Sequence, residues 1–282
     1  MIPSSHASAP SPQSFAPCPP WPGLGQLFSG EVYRFGFHLR PARAGWLTPG
    51  TPHPDVLRQR QHRLEQPGVF QWSAPASAAW EQLEPRLDPA FSRSLLPSDS
   101  AQERARAIAR VWAPDFILLS PDDSRMRMSG GAVCFPSGWD PREKQGRTVA
   151  GIHAPVPTLN RDMGSRIDRF LSGLKPGDAM ERDNWGLAAV PDLDLHPQRP
   201  VPRIQSDTPR HQIWFRLEEQ AFIGLGEGHV LFLIHVRTWP LDEVLAVTGA
   251  HDAFENQIRS MPTDIAHYKG LAAGLPPAPP TR

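Results

Sequence analysis

One stretch of the chain concentrates the side chains that could do chemistry. In "CFPSGWDPREKQGRTVAGIHAPVPTLNR", residues 134–161, a single histidine, His153, stands between a small apolar lead-in and the stiff pair Pro155 and Pro157, with Lys144, Arg147 and Arg161 around it. An imidazole that ligates a metal needs its ring angle and the partner of its second nitrogen fixed by its neighbours, and prolines supply rigidity for that. The three cations would suit carboxylates leaving an apolar pocket, such as the propionates of a haem. The same residues also read as an ordinary buried histidine in a turn with solvated charges about it. A single histidine in this spacing leaves both readings open.

Common catalytic signatures are missing from the sequence: no G-x-S-x-G, no H-E-x-x-H, no G-x-x-x-x-G-K-[ST] and no C-x-x-C. The glycine pattern "GLGEG" (224–228) resembles a phosphate loop, but an apolar, β-branched run follows it where a helix N-terminus would be required, so it reads as a hairpin turn.

These candidates must be positioned by a chain of 282 residues, long enough to bury a sizeable core. Lys plus Arg and Asp plus Glu number 29 each, so no global field gathers nucleic acid or an anionic membrane, and neither is expected as a partner. Two cysteines, Cys18 and Cys134, support neither a disulfide framework nor a multi-cysteine metal site. With no apolar run approaching a membrane span and no signal-peptide pattern, the expectation is a soluble, cytoplasmic protein. Proline, at 34 residues, gathers at both ends. Residues 1–27 and 272–282 are therefore expected to be disordered, leaving 28–271 as one functional domain.

Within that body, "HPDVLRQRQHRLEQ" (53–66) reads as a helix with Val56, Leu57 and Leu64 on its buried side. "SDSAQERARAIARVW" (98–112) reads as another, opened by a Ser100/Glu103 capping box. Strands begin at "DFILLS" (115–120), and "SRMRMSGGAVCFP" (124–136) reads as a hairpin turning at Gly130-Gly131. A helix over 165–177 carries Ile167, Phe170, Leu171 and Leu174 just after the histidine motif, and two long strands (211–225 and 228–239) precede helical stretches near 240–249, 252–260 and 263–269. Helices before and after mostly antiparallel strands imply an α+β fold, a curved sheet covered on one face that can cradle a flat apolar ligand.

The run "FPSGWDPREKQGRTVAGIHAPVP" (135–157), then "ERDNWGL" (181–187), "RLEEQ" (216–220), "FLIHVRTWPL" (232–241) and "HYKGL" (267–271) resembles the haem-dependent oxidative N-demethylase alpha-subunit family. The family pattern W-x-P-x-x-K-x-G-x-x-x-x-x-I-H-x-P-V-P is met by Trp139, Pro141, Lys144, Gly146, Ile152, His153, Pro155, Val156 and Pro157. Asn184-Trp185, then Arg216, Glu218 and Gln220, then Arg237-Thr238 match its later motifs, and "YRFGFHLRP" (33–41) with "GWL" (45–47) resembles its N-terminal part more loosely. The motifs fall between residues 115 and 271, and the histidine motif is the specific one.

This resemblance implies a PAS-like fold, haem b (iron protoporphyrin IX) in its pocket, and O2-dependent monooxygenase oxidation of a small secondary amine to a primary amine plus aldehyde. Electrons would come from a separate flavin or iron–sulfur reductase subunit, since the chain has neither a cysteine cluster nor a dinucleotide fingerprint. It implies His153 as the axial iron ligand, with His196 and His235 in reserve, although His235 alternates within an apolar strand and also reads as a core residue. Arg216 and Arg237 join Lys144, Arg147 and Arg161 as candidate cofactor-binding cations. Trp185 could wall the distal pocket, Asn184 donate a hydrogen bond, and Glu218 accept the proton an alkylammonium loses. The alternatives are a core tryptophan, a turn asparagine and an ion pair from Glu218 to Arg216 or Arg237. One departure stands out: Glu219 occupies the position after the glutamate where the family pattern has arginine, which makes a non-catalytic haem-binding sensor or small-molecule binder the alternative reading.

Overall fold

The computed structural model describes residues 27–28, 32–94, 98–123, 125–269 and 271, the side chains of 92–94 aside; nearly all of the two proline-rich ends lies outside this range. Seven strands make one open sheet: β1 (Arg40–Pro41), β2 (Phe70–Gln71), β3 (Asp115–Asp122), β4 (Arg125–Ala132), β5 (Ala179–Ala188), β6 (Trp214–Gly224) and β7 (Val230–Pro240). Their order is β1-β5-β6-β7-β3-β4-β2, and every neighbouring pair is antiparallel. Helices α1 (Pro54–Leu64), α2 (Ala74–Leu83) and α3 (Ala101–Ala109) precede β3; α4 (Val149–His153) and α5 (Leu159–Gly173) lie between β4 and β5; α6 (Leu241–Leu245), α7 (Ala250–Ser260) and α8 (Thr263–Tyr268) follow β7. The fold is α+β. Among the described residues no helix is long and apolar enough to cross a membrane.

The sequence explains the placement of these elements. β3 opens with six consecutive buried residues, Asp115 to Ser120, as a strand inside a sheet must when both faces are covered. α2 covers it with Ala76, Ala79, Trp80 and Leu83, and the Trp80 ring lies 5.8 Å from that of Phe116. Each such fully buried aromatic contributes about 2–3 kcal/mol of transfer free energy. A second apolar cluster joins β6 and β7 to the C-terminal helices through Phe215, Leu217, Trp239, Val244, Phe254 and Ile265. The α3 cap forms as its sequence requires, with Ser100 Oγ accepting from the Glu103 N–H at 3.4 Å; the reciprocal arm differs, because the Glu103 carboxylate takes Ser98 Oγ.

Two expectations need correction. The β3–β4 hairpin turns at Asp123, φ 54°, and Gly130-Gly131 lies inside β4. There the register slips, with Leu118 facing Gly130 and Leu119 facing Met128, so Ser129 is the extra residue of a bulge. Glycine is required by proximity as well as by conformation: a Cβ on Gly130 would lie 2.8 Å from Ala76 Cβ, and one on Gly131, φ 149°, 2.3 Å from the Phe116 carbonyl oxygen. The helix after the histidine motif starts at Leu159 and not near 165, because Thr158, φ 58°, breaks the chain direction directly behind the prolines. The hairpin at 224–228 stands as expected, with a 3-10 turn at Gly226–Gly228 between β6 and β7.

Gly131→Ala is expected to cost about 2–4 kcal/mol, since a methyl group there must displace strand backbone. Urea unfolding of the purified variant checks it, and a change below about 0.5 kcal/mol would refute the β3–β4 register.

Candidate functional site

His153 closes the five-residue helix α4, whose position is set by the segment before it. The Gly146 N–H donates to the Met128 carbonyl at 2.8 Å and the Met128 N–H to that of Arg147 at 3.1 Å, which pins the segment to β4. Gly146 turns there with φ 73°, and Thr148 then caps α4 by accepting from the Gly151 N–H at 3.1 Å. Beyond the helix the Val156 N–H donates to the His153 carbonyl at 2.9 Å, and Asn160 reaches back to the Ala150 carbonyl at 2.8 Å. The backbone around the imidazole is thus fixed from both sides.

The ring itself is not tied down. Its Nδ1 is buried and has no hydrogen-bond partner. Burial, with Arg182 and then Lys144 adding repulsion, pushes the imidazole down to about 4, so it is neutral at physiological pH. Lys144 is buried and donates to the Ile152 carbonyl at 3.4 Å. Arg147 is exposed, and Arg161 is exposed and paired with Asp162 at 2.8 Å. Of the three cations in the motif, only Lys144 acts on the imidazole; Arg182 acts on it more strongly.

Arg182 leads to the rest of the site. Cross-strand pairing sets Arg182 opposite Gln220, and Asn184 opposite Glu218, so the four side chains share one face of β5 and β6. Glu218 is held there by neutral donors: Ser137 Oγ donates to Oε1, and Asn184 Nδ2 (3.1 Å) and Gln220 Nε2 (2.9 Å) donate to Oε2. No ion pair to Glu218 occurs among the described residues, so the expected alternatives with Arg216 or Arg237 do not form. Arg216 is consumed elsewhere, donating to Ser137 Oγ (2.8 Å) and to the carbonyls of Phe135 (2.8 Å) and Asp192 (3.2 Å). Burial lowers its guanidinium to about 10. Further along the same face, Phe222 stacks on Phe232 at 4.6 Å and meets Phe170 of α5 edge-on at 5.4 Å, an apolar wall beside the polar group.

Both of the chain's tyrosines border this region. Tyr33, tied to α7 by its N–H donating to Ser260 Oγ at 2.8 Å, lies in the field of Arg182, and burial raises its hydroxyl to about 12. Tyr268 of α8 is half exposed, and burial followed by the charge of Glu218 raises its hydroxyl. Next to it Lys269 donates to the Trp185 carbonyl at 2.7 Å and sits 4.8 Å from the Trp185 ring centroid. Burial pushes this ammonium down to about 8, against the attraction of Glu218. Trp185 alternates with Asn184 and so points to the opposite face, where it stacks on Phe215 at 6.0 Å and serves as the platform for Lys269.

The remaining candidates lie apart. His196 places Nε2 3.4 Å from Asp140 and accepts at Nδ1 from the Gln198 N–H at 3.2 Å. His235 meets Glu219 at 3.3 Å. Of the three histidines considered as ligands, His153 alone has a buried ring nitrogen without a hydrogen-bond partner among the described residues. Glu219, the departure from the family pattern, projects to the face opposite Glu218 and is met by Arg43 (2.8 Å), Arg237 (2.9 Å) and His235. Arg40 bridges Glu181 (2.8 Å) and Asp183 (2.9 Å) in the same network, which fastens the β1 region to the back of the sheet. Arg237 is thereby committed to the back face.

Arg182, Lys269, Tyr33 and Tyr268 were not singled out from the sequence. Arg182 sits two residues before Asn184 inside "ERDNWGL", and "HYKGL" contains Tyr268 and Lys269, so the motifs already marked the places.

A neutral imidazole with an unpartnered buried nitrogen, and Lys144 and Arg182 within its field, fits the axial nitrogen and the propionate-binding cations that a haem needs. Among the described residues no group of three or more His, Cys, Asp or Glu side chains gathers to hold a metal. Residues 65–274, well over half of the chain, match the family described as haem-dependent oxidative N-demethylase, alpha subunit-like, and the chain belongs to that family.

The network around Glu219 gives a test of the back face. Its carboxyl falls from an ordinary 4.5 to about 2, its burial outweighed by His235, Arg237 and Arg43. A lowered folded value gives stability that is fully present above the unfolded value and is lost as pH falls through the folded one, here between about 4.5 and 2 and on the order of 3 kcal/mol. Urea unfolding from pH 6 to 2.5 is expected to show wild type losing that much more than Glu219→Gln; parallel curves for the two proteins would refute the network.

Proposed function

We propose that the chain is the haem-bearing catalytic subunit of an oxidative N-demethylase acting on a small secondary amine, fed by a separate reductase. The observation that carries this reading is an unpartnered neutral imidazole, His153, and a carboxylate, Glu218, held by three neutral donors, with Arg182 in the field of both. His153 would hold the iron of a haem b, and Lys144 and Arg182 stand ready for its anionic edge. Bound there, a haem supplies electron transfer and dioxygen activation, chemistry no side chain offers.

The protein's own contribution lies around Glu218. Its carboxylate attracts the alkylammonium and accepts the proton from nitrogen, leaving a neutral amine with a free lone pair. Ser137, Asn184 and Gln220 fix both carboxylate oxygens, so the charge is aimed before substrate arrives and needs no reorganisation. Phe170, Phe222 and Phe232 exclude water from the neighbouring space. Overall, an N-methyl amine, O2, two electrons and two protons give an N-hydroxymethyl compound and water, and the former splits to the shorter amine and formaldehyde. The alternative of a non-catalytic sensor drew on Glu219, which lies behind the sheet, away from Glu218; the front face keeps its carboxylate.

The purified chain reconstituted with haem is expected to show a Soret band, and His153→Ala to lose most of its haem or shift the band. An unaltered spectrum and haem content in a folded His153→Ala variant would overturn the assignment. Glu218→Gln is expected to keep the haem and lower kcat/KM for a dialkylamine about a hundredfold, as removal of a general base does. Formaldehyde release with a chemical or enzymatic electron donor is the readout, and undiminished turnover would exclude Glu218.

A further inference from the structure

Every strand glycine among the described residues but one is imposed by its surroundings. Gly130 and Gly131 are pressed by Ala76 and Phe116, and a Cβ on Gly224 would lie 2.1 Å from the Lys175 carbonyl oxygen. Gly186, within β5, meets no such limit: its φ lies outside the left-handed region, and a Cβ built on it has no heavy atom within 4 Å beyond its own chain neighbours. Other residue types would fit both the backbone and the space. Glycine inside a strand weakens it, through its freedom in the unfolded chain and its lack of a side chain to pack, and it marks places where a ligand or another backbone comes close. No protein backbone comes close to Gly186.

The open space lies beside Glu218. Gly186 follows Asn184 by two residues on the same face of β5 and pairs with Arg216, two residues before Glu218 on β6. Diagonal neighbours of this kind stand about 7–8 Å apart. Arg216 does not fill the gap, since its guanidinium turns to Ser137 Oγ and to the carbonyls of Phe135 and Asp192. Ser137 and Asn184 in turn donate to the two oxygens of Glu218, so a fixed carboxylate stands next to a bare stretch of strand. Gly186 itself is only partly buried. We propose that Gly186 sets the size of the amine: the space over it holds the N-alkyl group that is not oxidised, while the ammonium nitrogen sits on Glu218. This rests on the reading of Glu218 as the amine site. The substrate class it defines is an N-methyl amine whose second substituent is longer than methyl, because a chain of about three carbons covers that diagonal and a methyl group falls short of it.

Gly186→Ala and Gly186→Val test this, with dimethylamine and N-methylpropylamine as probes. Both variants are expected to match or exceed wild type in urea midpoint, because the added side chain meets no protein atom and glycine is a poor strand former. Haem content and Soret position are expected to stay as in wild type. In the reconstituted protein supplied with an electron donor, kcat/KM for N-methylpropylamine relative to dimethylamine is expected to fall about tenfold or more in Gly186→Val and less in Gly186→Ala, the scale on which a pocket discriminates one or two carbons. A ratio within about twofold of wild type in both folded variants overturns the proposal. So does a lowered urea midpoint, which would put protein atoms in the space, or haem lost from both variants, which would give the space to the macrocycle. A wild type that takes up no haem or turns over neither amine sinks the demethylase reading by itself. Calorimetric titration of N-methylpropylammonium onto the haem-free chain then decides: binding about tenfold weaker to Gly186→Val supports the proposal, and equal or absent binding overturns it.

Discussion

The alternation of side chains along β5 and β6 is the constraint on which the site depends. Because successive residues face opposite ways, Asp183 and Glu219 go to the back of the sheet while Arg182, Asn184, Glu218 and Gln220 go to the front. A slip of one residue in this pairing would exchange the two sets, carrying the Arg40, Arg43 and Arg237 network into the cavity and burying Glu218 against the N-terminal segment. The ladder from Ala179–Ile223 to Ala188–Trp214 runs without a break, and the cross-strand ion pairs behind it help hold the register that the front face uses.

This division keeps the charge of Glu219 on the opposite face from that of Glu218. Glu219 is surrounded by three basic groups supplied by β1's neighbourhood and β7, so the local balance of charge is met by compensation on the same face. Glu218, one position earlier, is governed by a different set of neighbours altogether. Adjacent letters in a strand belong to separate environments, and a departure at one says little about the other.

Much of the architecture could be read from periodicity: the capped helix at 101–109, the two long strands at 214–240 and the closing helices follow directly from apolar spacing and capping residues. Gly130-Gly131 could not, because glycine signals both a turn and a close approach, and only the packing of α2 and β2 on β4 tells them apart. Arg60, fully buried against Asp115 in a helix of polar composition, was equally invisible. Of the site, His153 and Glu218 were marked by motif. Arg182 was not, since its buried, unpartnered Nε is a property of three dimensions that linear order does not carry. Arg237 and Arg161, by contrast, carry the charge that a propionate needs but spend it on neighbouring carboxylates.

The corner of the fold around Arg182 and Trp185 is assembled from opposite ends of the chain. Tyr33 comes from the extended N-terminal segment, Tyr268 and Lys269 from α8, and the bond from the Tyr33 N–H to Ser260 joins residues 227 positions apart. During synthesis the sheet's central strands can pair while this corner still stands open to water. This corner therefore closes only once translation has passed residue 269.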